Sequence, residues 1–231
     1  MTHTSLDSAY AALFSRGVQQ LLQIALPLRR EYASWPMDHV YNGWFESGDL
    51  ELYYAMIRSL QPSRIIEIGS GFATAIAADA CRKNGRGSIV CVDPEPRTDL
   101  PGDVQFHRAR VEDVDLTLFD SLESGDLLFI DSSHSEEKAL YHRTILDRLV
   151  PGVTVHHHDF MYPNPPRFPE ERVIIEYYTS RSQDWEGLIS NAMARHKLGA
   201  EQYAIIFPHY ARDPIRYPGS VYLRKRPQAL T

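Results

Sequence analysis

The chain has 231 residues, 43% of them hydrophobic and 23% charged, enough apolar mass for the core of one ordinary globular domain. Its 24 basic and 30 acidic residues give a net charge of -6, and no basic run tracks a phosphate backbone, which argues against nucleic acid as a partner. No apolar run approaches the roughly 20 residues needed to cross a bilayer, and MTHTSLDSAY lacks the charged-then-apolar order of a secretion signal, so no membrane partner and a cytoplasmic location are expected.

Residues 8–30 carry helical apolar spacing (Leu13, Val18, Leu21, Leu22, Ile24) broken by Pro27, and read as a helical cap, 1–45, over a main domain, 46–231. Strand and helix then alternate. LELYYAMIRSL is a helix stopped by Pro62, and RIIEI is a β-branched strand ending at Gly69. GSGF turns into the helix ATAIAADACRK, closed by Asn84 and Gly85. SIVCVD, VQFHRA and DLLFID follow as the second to fourth strands, each apolar enough to be buried on both faces. HSEEKALYHRTILDRL is a helix with Ser133 and Glu136 in capping-box spacing, and VTVHHHDF is the fifth strand.

PNPPRFP is then an extended loop. VIIEYYT and DWEGLISNAMARHK read as helical, and YAIIFP and SVYLRK as two closing strands. This alternation predicts a doubly wound, mostly parallel α/β sheet of the Rossmann-like kind, with a C-terminal antiparallel hairpin at one edge. Cys81 and Cys91 lie in no metal or redox spacing and read as reduced thiols near the core.

Ligands of open α/β sheets bind at the carboxyl ends of the strands where strand order reverses. EIGSGFAT places Glu67, Gly69, Ser70 and Gly71 there, with glycines that let the backbone approach a ligand and a helix N-terminus offering N–H groups. Thr74 stands where a dinucleotide fingerprint has its third glycine, which weakens a nicotinamide reading. Asp93 ends the second strand and suits ribose hydroxyls; read locally, it is a turn acid in DPEPR.

Asp131 ends the fourth strand, His134 follows at the next helix, and His158 with Asp159 ends the fifth, so the four can converge on one crevice. Imidazole and carboxylate donors of this kind suit Mg²⁺, Mn²⁺, Fe²⁺ or Zn²⁺. The alternative is a metal-free dyad of His158 and Asp159, with His134 no more than a first-turn helix residue. Side-chain alternation sends His156 and His158 to one face and His157 to the other, and His156 and His157 read as strand support or solvent-facing.

IIEIGSGFAT, VDPEPR, FIDSSH and VHHHDF, in this order and spacing, resemble the first, second, fourth and fifth motifs of class I S-adenosylmethionine-dependent methyltransferases over roughly residues 40–225. YNGWF before RIIEIGSGFAT is similar to a group of small bacterial methyltransferases that resemble metal-dependent O-methyltransferases of natural-product tailoring. The resemblance implies a seven-stranded sheet and S-adenosylmethionine as cofactor. It places Glu67, Gly69, Ser70, Gly71 and Asp131 along the methionine and ribose, Asp93 on the ribose, Val111 and Glu112 near the adenine, and Tyr41, Asn42 and Trp44 in a lid.

Compared with the catechol and caffeoyl type, Asp131 matches the first metal-binding aspartate. His134 replaces a lysine base, and His158 with Asp159 replaces an Asp-Asn pair. The implied metal set is Asp131, His158 and Asp159, holding Mg²⁺, Mn²⁺ or Fe²⁺, with His134 and His158 catalytic. The expected function is O-methylation of a small hydroxylated molecule; the alternative is a metal-dependent hydroxylase or cyclase on the same fold. The loop 162–169 is a candidate wall of the acceptor pocket, and the tyrosine-rich cap and C-terminal strands are candidate homodimer surfaces.

Overall fold

The computed structural model describes residues 3–35, 40–210 and 217–227. Seven strands, β1 (Arg64–Ile68), β2 (Ser88–Val92), β3 (Gln105–His107), β4 (Leu127–Ile130), β5 (Thr154–His157), β6 (Trp185–Ser190) and β7 (Val221–Lys225), form one sheet in the order β3-β2-β1-β4-β5-β7-β6. β1 to β5 run parallel, and β7 runs antiparallel to both β5 and β6. Strand order reverses between β1 and β4, so a crevice opens at their carboxyl ends.

The helices are α1 (His3–Leu13), α2 (Gly17–Ala25), α3 (Arg29–Tyr32), α4 (Asp49–Leu60), α5 (Phe72–Asn84), α6 (Thr117–Asp120), α7 (Glu136–Arg148), α8 (Glu170–Ser180) and α9 (Asn191–Ile206), the last broken by a non-helical Gly199. Buried side chains form two clusters, one on each sheet face. Leu52, Met56, Ala77 and Phe129 belong to the first, and Ile66, Leu128, Ile145 and Val155 to the second. The alternation of residues such as Leu128 and Phe129 between the two follows the period of a strand.

The N-terminal helices wrap the β6 edge and contribute to both cores, Tyr10 and Phe14 to one and Leu21, Ala25 and Tyr32 to the other. A Cβ on Gly187 would lie 2.4 Å from the Leu13 carbonyl oxygen, so this strand is covered closely by the end of α1.

The closing antiparallel pair is present, but its strands differ from those expected. WEGLIS, read above as helical, is β6, while Tyr203–Ile206 of YAIIFP end α9. In the first case Trp185, Leu188 and Ile189 are buried on both sides of a strand. In the second, Tyr203, Ile206, Phe207 and Tyr210 are buried while Ile205 is 56% exposed, which is helical spacing despite the paired isoleucines. Ser135, not Ser133, caps α7, accepting the Lys138 N–H at 3.2 Å. Among the described residues no helix is long and apolar enough to cross a membrane.

Candidate active site

At the switch point the turn after β1 is held against β4. Asp131 N donates to Ile68 O at 2.8 Å and Gly69 N to Val92 O at 3.0 Å, so Gly69 is clamped between neighbouring strands. It has φ +92°, and a Cβ there would lie 1.9 Å from Asp131 O. Glu67 does not line the cleft. It is fully buried below the turn, accepting from Tyr53 Oη at 2.8 Å and Thr74 Oγ1 at 2.6 Å. Thr74 Oγ1 in turn accepts Gly71 N–H at 3.0 Å. The residue in place of a third glycine is thus a tie between buried carboxylate and turn, and the expected contact of Glu67 with a ligand becomes a positioning role. Burial raises the Glu67 carboxyl, with the Thr74 and Tyr53 bonds pulling the other way.

Gly69, Ser70, Gly71 and Asp93 line a cleft of about 1540 Å³, larger than the roughly 300–1,000 Å³ of common small-molecule sites. Asp93 Oδ2 accepts from Ser70 N at 2.7 Å and Ser70 Oγ at 3.0 Å, and Oδ1 from Glu95 N at 2.8 Å. Each carboxylate oxygen has two lone pairs, so one acceptor site remains, on Oδ1, for one hydroxyl of a ribose. The open backbone at Gly71, the acid at β2 and the room between them fit a nucleoside.

Val111 lines the same cleft with Arg110, whereas Glu112 is outside the lining and pairs with Lys138, which lines it. Tyr41 and Asn42 also differ from expectation. Tyr41 Oη donates to His209 O at 2.7 Å, and Asn42 Oδ1 accepts Trp44 N and Phe45 N, both at 2.9 Å. They shape a loop whose residues Gly43 to Ser47 face the cleft. Trp44, 60% exposed, lies 3.6 Å under the Arg97 guanidinium, linking this loop to the one after β2.

Across the cleft, β4, β5 and two helix starts bring Asp131, His134, Asp159 and Glu170 together. One donor atom from each of Asp131, His134 and Asp159 lies within 4.8 Å of the others. Asp159 takes φ +61°, a left-handed conformation that aspartate tolerates. His134 Nε2 is 3.1 Å from Asp159 Oδ2, and Nδ1 is 2.8 Å from Glu170 Oε1. A metal-binding histidine commonly has its second nitrogen held by a carboxylate in this way, so the donor set fits a divalent cation.

His158 is not in that set, a correction to the expected ligands. It is buried, its ring 4.7 Å from that of Phe45, its Nε2 3.8 Å from Asp159 Oδ1 and its Nδ1 without a partner among the described residues. His156 and His157 do lie on opposite faces. His156 stacks on Tyr222 at 4.6 Å, and His157 Nε2 is 2.7 Å from Tyr178 Oη. Both are buried core residues and neither reaches solvent.

His134 is also not held as a neutral base by its protein partners. Burial pulls its pKa down, but the bonds to Asp159 and Glu170 outweigh this and raise it to about 10. Asp131 is raised by burial, against the pull of His158. His158 is lowered by burial and raised more by Asp131, Asp159 and Asp49, with a net shift upward. Asp159 is pushed up by burial but held below the usual carboxylate range by His134 and His158.

The loop after β5 does form a wall of this end. Buried Glu171 accepts backbone N–H from Met161 at 2.8 Å, from Arg167 and from Phe168 at 3.1 Å. Phe168 stacks on His134 at 4.0 Å with an 18° interplanar angle. Glu170, Glu171, Arg167 and Phe168 were not singled out from sequence; two acids at a helix start read simply as first-turn charges.

Residues 66–160 match the family model of a methyltransferase domain. An uncharacterized protein of Archaeoglobus fulgidus is 40% identical over 92 residues, 36% of this chain and 42% of that protein, so the match spans less than half of that relative. Among solved structures, the O-methyltransferase TomG of Streptomyces achromogenes, involved in tomaymycin synthesis and in complex with S-adenosylmethionine, has a TM-score of 0.53 at 18% identity, covering 98% of this chain and 100% of that one. An O-methyltransferase of Bacillus cereus in complex with S-adenosylhomocysteine has a TM-score of 0.51 at 14% identity, covering 96% and 97%. The glycine turn, Asp93, Asp131 and Asp159 all lie within the stretch that matches a methyltransferase domain, and the seven-stranded sheet with its closing antiparallel pair shares its fold with these two solved O-methyltransferases.

Proposed function

We propose that the protein methylates a hydroxyl of a small molecule, with Asp131, His134 and Asp159 as ligands of a divalent cation. The observation that carries this reading is the convergence on one cleft of the Gly69–Gly71 turn and Asp93 from one side and the three-donor cluster from the other. The solved O-methyltransferases of the same fold support it. The hydroxylase or cyclase alternative has no observation in its favour.

S-adenosylmethionine supplies a methyl already activated on a sulfonium, so the site has to align the acceptor oxygen and take its proton. A divalent cation supplies Lewis acidity that lowers the pKa of a hydroxyl. The remaining work falls to side chains. Asp93 and the turn hold the nucleoside, while Phe45 and Trp44 cover the cleft against water. Glu170 keeps the proton of His134 on Nδ1 and leaves Nε2 for the cation. His158, in the same cleft and with Nδ1 unpartnered among the described residues, is placed to take the acceptor proton. As the oxygen–methyl bond forms, the sulfur–methyl bond breaks and S-adenosylhomocysteine is released.

Calorimetric titration with S-adenosylhomocysteine tests the cofactor half, and Mn²⁺ titration the other. Binding in the wild type that is weakened at least about tenfold in Asp93→Ala, together with Mn²⁺ binding lost in Asp159→Ala, is the expected result. Absence of S-adenosylhomocysteine binding to the intact protein overturns the reading.

A further inference from the structure

The acceptor end of the cleft contains a cation that the methyl-transfer chemistry does not use. Arg97 lies over Trp44, Lys138 pairs with Glu112 and Arg110 lies beside Val111 after β3, whereas Arg167 is near enough to the cluster to hold the Asp159 carboxyl down yet forms no ion pair among the described residues. Arg167 lines the cleft beside the loop wall, and its guanidinium is 5.1 Å from the Phe168 ring centroid, one ring beyond His134. Its backbone is held by Glu171, so the side chain starts from a fixed point.

Besides Phe168, the lining of the cleft includes the apolar and aromatic side chains of Phe45, Met161 and Tyr217. The reacting end beyond Phe168 carries Asp131, Asp159 and Glu170, which repel an anion. A built-in guanidinium next to them offsets that repulsion and offers a forked donor to a carboxylate. Resting on the methyltransferase reading above, we propose that the acceptor is an aromatic hydroxy acid. Its ring lies among Phe45, Met161, Phe168 and Tyr217, its carboxylate pairs with Arg167, and its hydroxyl reaches the Asp131, His134 and Asp159 cluster. That hydroxyl gives up its proton to the site and gains the methyl from the sulfonium, while the carboxylate stays unchanged.

The test compares dihydroxybenzoate with catechol, as methyl acceptors with S-adenosylmethionine and Mn²⁺ and as calorimetric ligands of the S-adenosylhomocysteine complex, on wild type, Arg167→Gln and Arg167→Lys. The expected result is a wild-type preference for the acid that falls roughly tenfold in Arg167→Gln and is partly kept in Arg167→Lys, with S-adenosylhomocysteine affinity the same in all three. An unchanged acid-to-catechol ratio in Arg167→Gln overturns the inference, as does binding of neither compound to a protein that binds S-adenosylhomocysteine. Failure to bind S-adenosylhomocysteine at all instead removes the methyltransferase reading, so the two failures are distinct.

Discussion

The α-carbon of Gly69 sits so close to Asp131 that a Cβ would come within 1.9 Å of the Asp131 carbonyl oxygen. The same residue has φ +92°. The glycine turn and the carboxylate–histidine cluster are therefore packed backbone to backbone, and one substitution disturbs both. Gly69→Ala is expected to cost at least about 2–4 kcal/mol, from the clash and the positive φ together. Urea denaturation measures the loss, and a variant as stable as wild type contradicts this account of the turn.

Metal affinity separates two ligand sets. Mn²⁺ binding, followed by calorimetry or by paramagnetic resonance, is expected to disappear in Asp131→Asn, His134→Ala and Asp159→Ala and to persist in His158→Ala. Glu170→Gln, which alters the partner of His134 Nδ1, is expected to weaken it about 10–100-fold. Loss in His158→Ala with retention in His134→Ala favours the set read from sequence.

The buried histidines set an acid response. Burial lowers His142 to about 4 and holds His156 well below the ordinary histidine range. Such a group leaves stability intact above its unfolded pKa, near 6.5, and costs stability as pH falls below it, because only the unfolded chain takes the proton. For His142 the window runs from about 6.5 down to about 4. Buried carboxylates titrate nearby, so the measurement is a difference. Wild type should lose about 1.4 kcal/mol per pH unit relative to His156→Phe below about pH 6.5. Near neutral pH the variant should match or exceed wild type, since neither His156 nitrogen has a partner among the described residues. Parallel stability curves for the two proteins between pH 7 and about 5 would falsify this assignment.

Glu171 organises the loop after β5 through three backbone N–H groups. Glu171→Ala leaves those donors unsatisfied and is expected to cost roughly 2–3 kcal/mol. It should also raise KM for the acceptor while S-adenosylhomocysteine affinity holds, because Gly69 and Asp93 follow β1 and β2, away from this loop. An equal loss of both affinities points to global disruption instead.

The sequence alone determined the parallel sheet, the switch-point turn, Asp93 and the strand-end placement of Asp131 and Asp159. Each is written in local terms: β-branched runs, glycines between strand and helix, and acids at fixed offsets from them. Side-chain alternation likewise placed His156 opposite His157. What followed from tertiary structure was which groups meet. His134 rather than His158 joins the carboxylates because Asp159 turns through a left-handed conformation and α8 brings Glu170 to its far nitrogen. WEGLIS is a strand because β7 hydrogen-bonds along its edge while α8 packs on Trp185 and the end of α1 and start of α2 press on Gly187 to Ile189, and a short apolar run does not reveal such burial by itself. Glu67 and Glu171 are the same residue type in different contexts, one under the glycine turn after β1 and one under the loop after β5. Only the fold decides which backbone donors and hydroxyls come within reach of each buried carboxylate.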